Sequence, residues 1–143
     1  MTSLISEIGG VIQGDWTNEE IVTCIADGIA KAGHVAGITS VGVVDLCTTT
    51  SHDLFVGIVL PHHKYDVDAV IGSGAIMSIV VPQDGHIYGM LCDNIGASLP
   101  GNAVGFGANA GLLTPQGAIE DLHVARTYKY TSADTAGLFV WGP

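Results

Sequence analysis

A chain of 143 residues that is 48% hydrophobic and only 13% charged is long enough for one self-sufficient core and too apolar to stay disordered. Fourteen acids stand against four bases (Lys31, Lys64, Arg126 and Lys129), giving a net charge of −10. That balance cannot neutralise many phosphates or favour an anionic bilayer, so neither nucleic acid nor membrane is an expected partner.

The opening MTSLISEIGG lacks the basic and long apolar regions of a secretory signal, and no run reaches the ~18 apolar residues of a spanning helix. Residues 1–19 place Leu4, Ile5, Ile8, Val11, Ile12 and Trp16 among Gly9, Gly10 and Gly14 with no sustained helical period. The expected form is an extended N-terminal arm whose hydrophobes lie on a surface, either its own barrel or a neighbour. TNEE at Thr17–Glu20 looks like a helix start, but the following β-branched IVTCIADG ends in Asp27-Gly28, a hairpin signal, and a strand is expected.

From Glu20 onward, turn residues separate short Val- and Ile-rich runs: EIVTCIA, HVAGI, VGVVDLC, LFVGIVL, AIMSIVV, HIYGMLC, NAVGF, ARTYKY and GLFVW. That spacing predicts an all-β fold, a single small β-barrel or sandwich over 20–143. In HIYGMLC, Ile87, Gly89 and Leu91 fall on one face and Tyr88, Met90 and Cys92 on the other. Gly42, Gly57 and Gly89 inside strands suggest tight bends or close backbone approach. At most one short helix is expected, in YDVDAVIGSG, where Val67, Val70 and Ile71 keep helical spacing. GANAGLL reads as a small-residue loop, and Tyr128, Tyr130, Phe139 and Trp141 read as cross-strand packing in a terminal hairpin. The stretch ADGIAKAGHVAGI (26–38) is echoed by CDNIGASLPGNAVGF (92–106). Two similar turns would explain the echo, and so would biased composition.

The strongest candidate for chemistry is LPHHKYDVD, residues 60–68. Zinc needs three or four converging N or S ligands. Adjacent His62 and His63 point to opposite faces of an extended chain, and no HExxH occurs. His52, His62, His63 and Asp66 are therefore weak metal candidates, and a polar solvated loop is the favoured reading. Cys47 precedes His52 by five residues, but catalytic Cys–His pairs are normally assembled by the fold. The widely spaced Cys24, Cys47 and Cys92 form no CxxC and read as buried thiols made in a reducing compartment. GxSxG is missing, GFGANAG lacks the P-loop lysine, and no paired carboxylates stand in an apolar setting. No catalytic residue, cofactor or metal is expected, and the chain does not read as an enzyme.

The ordered runs EIVTCIAD, KAGHVAGI, VGVVDLC, FVGIVL, DVDAVIGSG, AIMSIVV, HIYGMLC, PGNAVGF, GANAGLL and ARTYKYTSADTAGLFVW resemble the small β-barrel decoration, or cementing, proteins of tailed-virus heads. The resemblance spans Glu20 to Pro143 and is one of pattern, not of diagnostic residues. It implies a homo-oligomer, a trimer favoured, made in the host cytoplasm and placed on the capsid surface of the virion. It also implies binding to the major capsid protein lattice, with the arm residues Leu4, Ile5, Ile8, Val11, Ile12 and Trp16 reaching along the shell. The alternatives are a tail, fibre or other surface-assembly subunit, and a metal-binding module or hydrolase using the His52, His62 and His63 region. A carbohydrate-binding barrel has little support in a chain with few aromatics.

Overall fold

The computed structural model describes residues 20–48, 56–60, 70–93, 101–115, 123–132 and 136–142. Among these the fold is all-β, with no helix. Strands β1 (Glu20–Ala26), β2 (Val35–Ser40), β3 (Val43–Leu46), β4 (Val56–Val59) and β5 (Ile76–Val81) close into a barrel of order β1-β3-β2-β4-β5. A second sheet has the order β6-β10-β9-β7-β8, from β6 (Ile87–Leu91), β7 (Ala103–Phe106), β8 (Leu113–Pro115), β9 (Ala125–Ser132) and β10 (Ala136–Trp141). A parallel bridge between Cys92 and Leu113 ties β8 back to the end of β6.

The two sheets are the same unit built twice. In each, the first strand runs parallel to the third and antiparallel to the fifth, and every other pairing is antiparallel. The registers correspond residue by residue. Ile25 faces Ile76 as Leu91 faces Ala136, and Val22 faces Ile79 as Tyr88 faces Phe139. Ala36 faces Gly57 and Leu46 as Val104 faces Ala125 and Pro115. Val59 faces Ile79 as Thr127 faces Phe139. The echo in the sequence is this repeat: the Asp27 and Asp93 amides donate to the Val44 and Leu113 carbonyls at 2.8 and 2.9 Å. Gly33 and Gly101, which precede β2 and β7, both take φ of 90°, a value that favours glycine.

The interiors differ in size. The first barrel encloses Cys24, Ala26, Ala36, Val44, Val59, Met77 and Ile79. At positions matching Val22, Ile38 and Ile79 the second unit carries Tyr88, Phe106 and Phe139, each fully buried. These larger side chains share one cluster with Val35, Cys47, Ile58, Leu60 and Val80 of the first barrel. Ile58 and Val80 alternate with Val59 and Ile79, so they point out of the first barrel and into the core of the second unit. The backbone follows the same division. In the first barrel the Ile25 amide donates to Gly42 and seals the seam between β1 and β3. In the second unit the matching Leu91 amide donates instead to Gly33 of the first barrel, at 3.0 Å. The Val35 amide donates to Gly111, and Gly111 donates to Cys47. The second unit is thus held open and splinted by the first.

Four local expectations change. Asp27-Gly28 does not make a two-residue hairpin, because β1 pairs with β3 and β5 and not with β2. A turn signal describes local dihedrals, whereas the pairing follows the barrel closure. GANAGLL is not wholly loop: Leu113 begins β8, a three-residue strand that ends on Pro115. Ile71 is not helical but bridges Ala30 in extended form, while Val67 lies outside the described residues. In the terminal hairpin, Phe139 faces Thr127 and Trp141 faces Ala125, so its aromatics are not cross-strand partners of one another. Gly57 does mark a close approach, since a Cβ there would lie 2.5 Å from Ile79 Cδ1.

Candidate functional site

Leu4, Ile5, Ile8, Val11, Ile12 and Trp16 lie outside the described residues, as do His52, His62, His63 and Asp66. Among the described residues, no group of three or more His, Cys, Asp or Glu is placed to hold a metal ion. The cysteines are buried. Burial pushes the Cys24 thiol up from its ordinary pKa, and its Sγ donates to the Met77 carbonyl at 3.5 Å. A thiol held protonated in a barrel interior is a poor nucleophile. Cys47 is fully buried at the junction between the units, where its backbone bonds Val35 and Gly111.

The first barrel carries a small hollow bordered by Ile29, Ala30, Ala36, Val44, Asp45 and Met77 among others, with no enclosed room even for a water molecule. Binding pockets for small molecules run from roughly 300 Å³ upward and converge several polar groups. This one is smaller, and Asp45 is its single ionisable lining residue.

The most unusual histidine was not singled out by sequence reasoning. His34 sits at the junction between the units, where its ring stands against Gly111. Its Nδ1 accepts the Lys31 amide at 3.0 Å, which requires that nitrogen to be unprotonated. Burial, and secondarily the positive charge of Lys31, push its pKa down to about 4. A lone histidine between a glycine and a valine carries no signal of this in the sequence. Its setting is created by a second unit whose β8 loop begins more than seventy residues later.

The described surface is most distinctive for exposed apolar side chains. Ile21 and Ile25 project from the outer face of β1, and Ile76 of β5 stands opposite Ile25. Val41 is fully exposed in the turn that holds Gly42, and Ile29 and Val70 are also exposed. The Ala30–Ile71 bridge brings these last two segments together. Single exposed hydrophobes are normal, and of these only Ile21, Ile25 and Ile76 share one face of the closed sheet. The acids Glu20, Asp27 and Asp45 are exposed on the same strands or beside them.

No protein-family model matches the chain, and no curated protein matches its sequence.

Proposed function

We propose that this chain is a non-catalytic structural subunit that self-associates and decorates the outer surface of a virus head shell. The observation that carries the reading is the apolar face around Ile21, Ile25 and Ile76 on a closed, charge-poor barrel. Such a face is suited to burial against protein. A decoration subunit that binds the assembled lattice and not free shell subunits stabilises the particle by mass action, and repetition adds avidity. The arm, with Leu4, Ile5, Ile8, Val11, Ile12 and Trp16, would supply a second, extended contact with the shell protein.

Two measurements test this. Native mass spectrometry without chelator should give a metal-free oligomer, and a monomer carrying one zinc or calcium ion would overturn the reading in favour of the His52–His63 region. Co-sedimentation with shells assembled from the major capsid protein of the same genome should retain the full chain and lose a variant lacking residues 1–19. Equal pelleting with and without shells would instead point to self-polymerisation, as for a tail or fibre subunit.

A further inference from the structure

The repeat lets each unit report on the other's surface. On the second unit, the positions matching Ile21 and Ile76 are Ile87 and Ala136, exposed by 6% and 5%. On the first barrel the same positions are 49% and 62% exposed. Ala136, with Leu91, packs on Ala32 of the first barrel, so on the second unit part of this face is covered by a unit of the same kind. The opposite holds for the other face. Val35, Ile58, Leu60 and Val80, through which the first barrel grips the second unit, are buried. The matching positions on the second unit are Ala103, Arg126, Tyr128 and Val140. Arg126 and Tyr128 are exposed, and Ala103 and Val140 are half-buried.

We infer that a second copy of this chain covers the apolar face of the first barrel, docking head to tail. The β9 face of its second unit, Ala103, Arg126, Tyr128 and Val140, would lie on Ile21, Ile25 and Ile76. Three features argue for this occupant. The contact uses, between chains, the face that joins the units within one chain, laid on the outside of a closed barrel instead of into an open one. The exposed cation Arg126 meets a rim that carries the exposed acids Glu20 and Asp27. Finally, where the intrachain face uses Ile58 and Leu60, the free one uses Arg and Tyr, residue types enriched where separately folded proteins meet. The seam of the first barrel is already sealed by the Ile25–Gly42 bond, so the incoming copy lies on the seam and does not enter it. A contact between two different faces is heterologous and propagates into a ring or a helical array.

This sharpens the self-association in the reading above while resting on the repeat. Its test contains no shell, so its failure and the failure of shell binding are separately visible. Sedimentation velocity on the full chain compares wild type with Ile76→Glu and Tyr128→Glu, each changing an exposed residue, with circular dichroism confirming that both fold. Wild type should form species larger than a dimer as concentration rises, and each variant should weaken association about tenfold or more. An equimolar mixture of the two variants should recover a dimer and nothing larger, because each mixed pair keeps one intact interface. A monomeric wild type, as when the arm of each chain covers its own face, overturns the inference. So does a Tyr128→Glu variant that associates like wild type, which would mean that the apolar face pairs with itself.

Discussion

Gly57 and Ala125 hold the same place in the two units, opposite Ala36 and Val104, yet only one has room for a methyl group. A Cβ on Gly57 would lie 2.5, 2.8 and 2.9 Å from Cδ1, Cβ and Cγ1 of Ile79. Rotating the end of that side chain does not relieve all three, so the strands must move. Gly57→Ala should cost about 1–3 kcal/mol, read as a lower urea midpoint at unchanged slope. An unchanged midpoint would show that the barrel relaxes more easily than its packing implies. His34 gives the complementary case, in which charge is the perturbation. Above pH 6.5 its site is neutral in both folded and unfolded chains. As pH falls from 6.5 towards the folded value of about 4, the unfolded chain takes up the proton first, so stability drops across that window and levels off below it. The ceiling is ~3 kcal/mol, trimmed by screening because the ring is half-buried. Asn102 stands at the matching position, and His34→Asn keeps an acceptor near the Lys31 amide while removing the titration. Urea melts at pH 7 and pH 4.5 should show a smaller loss of stability in the variant than in wild type; equal losses would assign the acid sensitivity to other groups.

At the scale of elements, most of the strands were legible and their partners were not. Nine of the ten strands coincide with Val- and Ile-rich runs bounded by turn residues, because a pleated, half-buried segment requires that pattern wherever it pairs. β8 was hidden by its length and its proline. The parallel contact between β1 and β3 was hidden because no local signal encodes it, and Asp27-Gly28 pointed to a hairpin instead. The echo between 26–38 and 92–106 held the answer in part: the repeat is plain only once the strand registers align EIVTCIAD with HIYGMLCD. As for the candidate site, the arm and the His-rich stretch fall outside the described residues. The exposed face of β1 was not legible either, because alternation shows which residues share a face and not which face stays uncovered. The repeat also supplies a controlled comparison. Gly42 and Gly111 open β3 and β8 with φ of 74° and 79°, so alanine at either meets the left-handed penalty of about 1–2 kcal/mol. At Gly42 nothing lies within 4 Å of the added Cβ, whereas at Gly111 it meets His34 Cγ at 3.0 Å and Leu46 Cδ2 at 3.1 Å. Gly111→Ala should therefore destabilise more than Gly42→Ala in parallel urea melts, the difference measuring how firmly the splint grips the second unit. Equal costs would mean that the junction yields freely.

For the whole molecule, the uneven division of the core decides how it unfolds. The second unit carries the bulkier interior, and five buried residues of the first barrel complete it. A second unit without its partner would expose Tyr88, Phe106 and Phe139 through an opening that the first barrel now fills. The first barrel alone would expose Val35, Ile58, Leu60 and Val80. Neither half has a closed surface of its own, and the two should melt as one cooperative transition. Ile58 tests this directly, since it belongs to a strand of the first barrel and is fully buried in the shared core. With Trp16→Phe as background, Trp141 on β10 becomes the single tryptophan and reports on the second unit, while far-ultraviolet dichroism follows the strands of both. Ile58→Ala should lower stability by about 2–5 kcal/mol. The shift in the Trp141 transition should equal the shift in the dichroism transition, although the substituted residue lies in the other unit. If Trp141 keeps its original midpoint while part of the dichroism melts earlier, the units unfold separately, and the shared cluster is a contact between two self-sufficient barrels. Coincident shifts would make the repeat one folding unit, so that a surface change which loosens either half is felt by both.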